Sequence, residues 1–579
     1  MTERLSARTR ARTATRRYLR RFGGRATVRR DLKAGVVLGT ESVPDGLAAG
    51  LLAGVNPVHG LYAYLAGTLG GALATGSVFM TVQTTGAMGV LISDVPQTQD
   101  AATSAQALST LALLSGMVML GLGLARLGSL VRFIPTAVLV GFVNAVAINI
   151  VLGQLGNVTG FDSEAGNRIL RAVDTVLHVA ELSGPAVTVA AITVLLTLGL
   201  ERTRLGPLAM LVAVAAASAA AWWIPALDVA SISDAAAVPD SLPDLALPAL
   251  DLVPALLVPA LSLALVGLVQ GAAISGSMPN PDGAYPDASA DFRGQGVANL
   301  FAGVAQGMPV GGSMSATALV RDAGAATALA NLVAAVVMAA TILLAAPVIA
   351  ATAMPALGAL LVIVGVRTLR PATMLMVWRT GITQATVLTL TFVLTLLIPL
   401  QYAVLTGVAF AVLLHVTSQS NRIAVVRWVF DEGQVLPREV PPPARLDAGE
   451  VVVLVPYGSL FFAAAARLEE QLPAPAAVAD DAFVVLRLRG SDDLGATSLG
   501  VLTRYAERCR AAGATLLLVG VGERVLEQLR VTGGMRALDE ENVFAATDRL
   551  GASVGTALAA IEERRRSRPD PDPDITPGG

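Results

Sequence analysis

From Ala34 to about Thr417 apolar stretches follow one another with short polar breaks between them. Runs near 34–54, 58–75, 106–125, 133–153, 185–200, 206–223, 253–275, 294–308, 327–349, 355–369, 382–398 and 401–418 read as helices crossing a bilayer. Such a crossing takes about 20 apolar residues. Two further runs, 83–94 and 313–323, are too short. They lie in GSVFMTVQTTGAMGVLISDV (76–95) and GMPVGGSMSATALVR (307–321). In each, extended-type residues (Val78–Val82; Met308–Gly311) lead into small and hydroxylated residues and then a brief apolar run. A half-length helix at membrane depth is tolerable only where its non-helical lead-in is buried in protein or lines a cavity. One in each half of a membrane chain marks a midplane site between inverted repeats. A helix N-terminus offers free N–H groups and about +0.5 charge, so two that face each other offer roughly +1 without any basic side chain. The pair is read as an anion site. With the two half-helices the pattern gives about fourteen spans.

Past Arg427 the pattern changes. A Pro-rich stretch, Pro437–Pro443, leads into strands expected at Val451–Pro456, Phe483–Leu488 and Thr515–Val519. Helices are expected at Phe461–Gln471, Ser498–Ala512 and Glu523–Val531. Strands alternating with helices indicate an α/β sheet with helices packed on it. The chain is therefore divided into a basic N-terminus (1–32), a membrane domain (33–420), a linker (421–449), a soluble domain (450–562) and a disordered tail (563–579).

Composition supports this division. The chain is 54% hydrophobic and 15% charged, with mean hydropathy +0.65, whereas a soluble protein is about 25% charged. Charge placement orients the spans, since cytoplasmic loops collect Lys and Arg. With the Arg-rich N-terminus inside, held near anionic lipid, the cytoplasmic loops carry Arg126, Arg132, Arg202, Arg204, Arg293, Arg321, Arg367, Arg370, Arg379, Arg422 and Arg427. The loop 224–252 lies outside, with Asp228, Asp234, Asp240, Asp244 and Asp251 and no Lys or Arg. Arg168 and Arg171 are the exception, in an outside segment. An even number of spans puts both termini in the cytoplasm, as in a multi-pass protein of the inner (plasma) membrane. No nucleic-acid partner is expected.

Little else in the sequence suggests chemistry. Cys509 is the one cysteine, so neither an intrachain disulfide nor a Cys metal cluster can form, and it is read as a small buried hydrophobe. His59, His178 and His415 are too scattered for a metal site. GLGLARLG (121–128) lacks the spacing and the preceding strand of a dinucleotide loop, and VGVGER (519–524) is a strand-to-helix turn. No nucleophile–base pair and no cofactor loop is found, so the chain is not read as an enzyme.

Several stretches resemble one family. DLKAGVVLGTESVPDGLAAGLLAGVNPVHGLYAYLAGTLGG is similar to the first two helices of sulfate-permease (SulP) anion transporters. IPTAVLVGFVNAVAINIVLGQL is similar to their fifth, and DFRGQGVANLFAGVAQGMPVGGSMSATAL to their ninth and tenth. GSLFFAAAARLEEQL, AFVVLRLRG and RCRAAGATLLLVGVGERVLEQLRVTGG resemble the STAS domain, the sulfate-transporter and anti-sigma-antagonist domain that follows the transporter in this family. The resemblance covers nearly all of 31–560. It implies an α-helical membrane protein built as a seven-plus-seven inverted repeat, with a core domain moving against a gate domain, and a homodimer. It also places a small anion between the third and tenth helices. The residues that fall there are Thr81, Gln83, Thr84 and Thr85 in one stretch and Gly312, Ser313, Met314, Ser315 and Thr317 in the other. Asn299 and Gln295 are expected to pack the start of helix nine.

The chain departs from the family pattern at three points. Gln270 stands where the eighth helix usually carries a carboxylate tied to cation coupling. Ala316 stands where an Arg is frequent, and Gln83–Thr84 replaces a Gly-Pro. A negative and a positive charge are thus both absent, which avoids a lone buried charge. Asp45, just after Pro44, and Glu41 one turn earlier are the replacement candidates for Na+ or H+ coupling, because an acid inside a span is functional by default. In the STAS region the phosphorylatable position corresponds to Thr497, in Gly495-Ala496-Thr497-Ser498, where Thr497 or Ser498 is otherwise expected to cap a helix. The reading is a secondary transporter or exchanger of sulfate, bicarbonate, chloride or a dicarboxylate. A nucleobase permease of the same fold and a non-transporting anion sensor signalling through STAS are the rivals.

Overall fold

The computed structural model describes residues 21–567, apart from 25, 101, 129–134, 204–205, 236–237, 239, 401, 404–405, 408, 411–412, 415–422, 432–435, 459, 461–463 and 491–492. The basic arm up to residue 20, Arg132, Arg204, His415, Arg422, most of the run 401–418 and the tail from 568 lie outside the described residues. The chain forms two compact units, 1–411 and 412–579.

The first unit is helical. It opens with α1 (Val28–Leu52), α2 (Pro57–Ala74), the short strand β1 (Thr81–Gln83) and the half-helix α3 (Gly86–Ser93). There follow α4 (Ser104–Leu124), α5 (Thr136–Gly153), α6 (Arg168–Leu177), α7 (Gly184–Leu200) and α8 (Ala209–Trp223). The second half has α9 (Val253–Ser277), α10 (Ala288–Val304), strand β2 (Gly311–Ser313) and half-helix α11 (Met314–Asp322). It continues with α12 (Leu329–Leu344), α13 (Met354–Thr368), α14 (Pro371–Thr380) and α15 (Ile382–Leu397). Among the described residues four helical stretches are long and apolar enough to cross a bilayer alone: Ser104–Leu124, Thr136–Thr159, Leu250–Ser277 and Met354–Thr380. Local sequence sets the ends. Asn56 caps α2 by accepting from the Val58 N–H at 3.0 Å, with Pro57 at the first helical position, where its missing N–H costs nothing.

These helices sort into two bundles. In one, α1 packs on α2 and α12, while α10 packs on α2, α4 and α9. In the other, α5 packs on α13 and α15, and α7 on α8 and α13. The half-helices and both strands belong with the first bundle, and α3 also touches α5. The core-and-gate division has its physical counterpart here. Among the described residues, two helices of ten residues each sit where loops were expected. One is α6, whose Leu170, Val173, Val176 and Leu177 are exposed apolar residues along a polar sequence. The other is α14.

Two buried aspartates hold the loops around the half-helices. Asp31, on α1, accepts from Ala326 N at 2.8 Å, Thr327 N at 2.9 Å and Thr327 Oγ1 at 2.8 Å. Asp291, on α10, accepts from Ser77 N at 2.8 Å, Ser77 Oγ at 2.6 Å and Ser275 Oγ at 2.6 Å. A buried carboxylate needs such donors to offset its desolvation.

The second unit holds a six-stranded sheet in the order β10–β9–β8–β6–β3–β4. Its strands are β3 (Ala424–Val429), β4 (Arg438–Val440), β6 (Val451–Tyr457), β8 (Phe483–Arg487), β9 (Thr515–Val521) and β10 (Val543–Ala545). A separate pair joins β5 (Arg445–Leu446) to β7 (Ala474–Pro475). The four strands β10, β9, β8 and β6 run parallel, and β3 and β4 are antiparallel additions. Helices α16 (Ala465–Gln471), α17 (Ala496–Ala511) and α18 (Glu523–Val531) contribute to the core on one face, and α19 (Ala552–Arg566) to that on the other.

Three expectations are corrected. The linker expected at 421–449 contains β3 and β4, and β3 pairs with β6 inside the sheet. Its Ala-Val-Val-Arg-Trp-Val run is a β-branched strand sequence that the following prolines obscured. Helix α19 extends to Arg566, into the region expected to be disordered. Helix α17 starts at Ala496 with Gly495 as its cap, so neither Thr497 nor Ser498 caps it; the Ser498 hydroxyl instead donates to Leu460 O at 2.9 Å.

Candidate functional site

The site begins with two strands of three residues each. β1 and β2 pair antiparallel, with Thr81 opposite Ser313, Val82 opposite Gly312 and Gln83 opposite Gly311. Each strand feeds a half-helix, so the pairing brings the starts of α3 and α11 together. Backbone N–H groups at both helix starts lack partners within their own helix. The strands therefore satisfy their own polar backbone at depth while the free donors of two helices converge.

Glycine makes the position of β2 possible. A Cβ added at Gly312 would stand 2.9 Å from the Gly271 Cα, and one added at Gly311 would stand 2.9 Å from the Gly267 Cα. Gly267 and Gly271 are one turn apart on α9, so a strip of bare backbone on α9 receives a strip of bare backbone from β2. Gln295 and Asn299, one turn apart on α10, hold the other side. Gln295 Oε1 accepts from Gly312 N at 3.0 Å. Asn299 accepts from Val310 N at 2.9 Å and donates to Val310 O at 2.6 Å.

The residues singled out in the sequence divide into two sets. Thr81, Gln83, Thr84 and Thr317 are buried and committed to protein partners. Thr81 Oγ1 donates to Asn331 Oδ1 at 2.9 Å. Gln83 Nε2 donates to Ser42 Oγ at 2.8 Å and Thr68 Oγ1 at 3.3 Å. Thr84 Oγ1 donates to Pro309 O at 2.9 Å, and Thr317 Oγ1 to Ser313 O at 2.5 Å. These four stitch β1 to α1, α2, α11 and α12. Gly312 contributes backbone only. The second set sits at the helix starts, where Ser313 is buried and the others are half-buried or exposed. Thr85 is half-buried, and Met314 and Ser315 are exposed. Ser313 is the N-cap of α11, its Oγ 3.4 Å from Ala316 N and 3.2 Å from Ser315 Oγ. Gln270, on α9, joins this set because its Oε1 accepts from Thr85 Oγ1 at 3.0 Å.

The acidic candidates lie on α1 beside Pro44. Asp45 and Glu41 are one turn apart and both half-buried. Glu41 Oε2 is buried without a hydrogen-bond partner among the described residues. Thr497, in the other unit, is exposed in the first turn of α17. Among the described residues no group of His, Cys, Asp and Glu is arranged to hold a metal ion.

Sequence reading missed the partners that fix this geometry: Asp291, Asn280 and Asn331. Asn280 accepts from Val78 N at 2.8 Å, and Asn331 Nδ2 donates to Met80 O at 3.3 Å. The available signal was a polar residue in or beside an apolar span, which the membrane penalises unless it is paired.

Comparisons with known proteins agree with this architecture. A model of the sulfate permease family matches residues 28–391, and a model of the STAS domain matches 445–548. The Bacillus subtilis protein YvdB is 24% identical over 528 residues, covering 90% of this chain and 97% of that one. The sodium-independent sulfate anion transporter of Bos taurus is 25% identical over 544 residues, 87% of this chain and 85% of that one. The solved structure of SLC26A9 superposes with a TM-score of 0.83 at 18% identity, over 97% of this chain and 96% of that one. At that identity the likeness is one of fold: a helical membrane region followed by an α/β STAS domain. The family model spans both half-helices and most of the helical unit, and the chain belongs to the sulfate permease family of membrane anion transporters.

Proposed function

We propose that the chain carries a small anion across the inner (plasma) membrane by alternating access, the bundle holding β1, β2 and both half-helices moving against the bundle of α5, α7, α8, α13 and α15. The observation that carries this reading is the β1–β2 pairing, which turns two helix starts toward one place. The N–H donors and dipoles there suit an anion without a basic side chain, because neither 76–95 nor 307–320 contains Lys or Arg. Thr85, Ser313, Ser315 and the backbone at Met314 make direct contact, while Thr81, Gln83, Thr84, Gly312 and Thr317 shape the site from behind. Sulfate, bicarbonate, chloride and dicarboxylates all fit donors of this kind, and the name of the bovine relative favours sulfate.

Gln270 cannot titrate, so coupling to Na+ or H+, where transport is coupled, falls to Asp45 with Glu41. The unpartnered Glu41 Oε2 supports this, since a proton or cation would satisfy it. Both termini face the cytoplasm, the protein acts as a homodimer, and the STAS domain modulates transport, with Thr497 accessible to a kinase. Counterflow of a labelled anion in proteoliposomes, competed by sulfate, bicarbonate, chloride and fumarate, tests the reading. Saturable counterflow with one anion competing best is the expected result. Tight anion binding without counterflow would make the protein a sensor instead.

A further inference from the structure

The far end of the half-helix α3 is tied down. Arg168, the first residue of α6, donates through Nη2 to Asp94 Oδ1 at 2.7 Å and to Ser93 Oγ at 2.6 Å, with Val90 O at 3.4 Å. These acceptors make up the C-terminal end of α3, where the helix dipole is negative and a cation is favoured. The other oxygen of Asp94, Oδ2, accepts from Leu400 N at 2.9 Å. Arg168 begins α6, which packs on α5 of the second bundle, and Leu400 follows α15 of that bundle in the chain. Asp94 and α3 belong to the first. The knot is largely shielded, the Arg168 and Asp94 side chains being 22% and 16% exposed. A cavity of about 990 Å³ opens beside it, lined among others by Arg168, Arg171, His59, Gln99, Asn157 and Asp162.

We propose that Arg168 is the lock that closes the anion site on the α6 side. This rests on the transport reading above and on the cytoplasmic placement of the termini. Alternating access requires α3 to part from α5, and the guanidinium bridges the two bundles at the end of α3. At the other end of the same helix Thr85 is half-buried and Ser315 of α11 is exposed. The half-helix is thus pinned at its C-terminal end, while its first turn leans on α5 through Gly86 and Ile150 without a polar tie among the described residues. The pairing also accounts for an arginine on the side of the membrane where the loop pattern does not expect one: Arg168 is retained there by its two bundle-spanning contacts. Arg168 touches no anion in this scheme; it positions α3.

A cysteine at Ile150 reports the opening. Ile150, on α5, is 2% exposed, and a Cβ added at Gly86 of α3 would stand 2.7 Å from its Cδ1, so it lies on the surface that parting would uncover. In a full-length Cys509→Ala background, Ile150→Cys is labelled with a membrane-impermeant methanethiosulfonate in right-side-out and inside-out vesicles. Arg168→Gln should raise the labelling rate about tenfold from the α6 side, the shift expected when one conformer loses its differential stabilisation. Asp94→Asn should act in the same direction while keeping an acceptor for Leu400 N. Unchanged rates in both variants, each shown to be monodisperse, overturn the proposal. Protease digestion of the STAS domain fixes the vesicle orientation independently. An error in the assigned cytoplasmic face therefore appears in that digestion and leaves the labelling comparison intact.

Discussion

Ser315→Glu puts a carboxylate where the bound anion is proposed to lie. Ser315 is exposed in the first turn of α11, and its Oγ is 3.2 Å from that of the cap residue Ser313. A glutamate there reaches the mouth between the two helix starts without displacing buried atoms. With the two charges about 5 Å apart, repulsion is about 3 kcal/mol at an effective dielectric of about 20 and about 0.8 kcal/mol in bulk water. Affinity for a monovalent anion should therefore fall between about 4-fold and about 150-fold. A divalent anion should lose more, since the Coulomb term doubles with its charge. Ser315→Gln adds the same bulk without charge and separates sterics from electrostatics. The assay is anion binding to purified protein at low and high ionic strength, beside uptake in proteoliposomes. A well-folded Ser315→Glu protein that binds within twofold of its Gln counterpart would refute the placement of the anion.

Three further outcomes are expected. Gly312→Val should push β2 off α9, at about 1–3 kcal/mol of overpacking strain, and abolish anion binding; a thermal melt with unchanged midpoint and intact binding would contradict the backbone contact between Gly312 and Gly271. Asp45→Asn should remove any dependence of uptake on a proton or sodium gradient while leaving exchange, and a variant with full gradient dependence would exclude Asp45. Burial pushes the Cys509 thiol up to about 11 from an ordinary 9.0. Its thiolate fraction near pH 8 is therefore about a hundredfold below that of a free thiol, and alkylation should be slower by about that factor until the STAS domain unfolds. Rapid labelling of the folded protein at that pH would count against the burial.

What the sequence revealed and what it hid have different physical origins. The half-helices were legible because their lengths and lead-ins violate what a bilayer tolerates, and a violation of that size needs a local cause. Gly76–Val95 and Gly307–Arg321 could be picked out for that reason alone. The division of labour within them was not legible. Thr81 and Thr84 carry the same hydroxyl as Thr85, and the Gln83 amide is as able to meet a ligand; only the fold decides that these three turn to Asn331, Pro309 and Ser42. Arg168 pairs with Asp94 across 74 residues, a separation at which no local pattern operates. β3 was lost for a different reason. Its strand pattern was present in Ala424–Val429, but the prolines that follow drew the domain boundary too late.

The groups around the helix starts bear on the charge balance of the proposed site. Gln270 accepts the Thr85 hydroxyl as a carboxylate would, so the hydrogen-bond frame survives the exchange of acid for amide. Against the pattern that the family resemblance implies, one negative charge beside the proposed anion is absent. With Ala316 in place of a basic residue, one positive charge is missing as well. A carboxylate at 270 without an arginine at 316 would oppose the helix dipoles, and an arginine at 316 without the carboxylate would leave a cation at membrane depth unpaired. The two neutral residues therefore stand or fall together. In the proposed site they leave the attraction for an anion to two helix starts, roughly one charge in all, fixed in the backbone and independent of pH. Any gradient that drives transport must then act on an ionisable group outside this mouth, and α1, with Glu41 and Asp45 on successive turns beside Pro44, carries such groups.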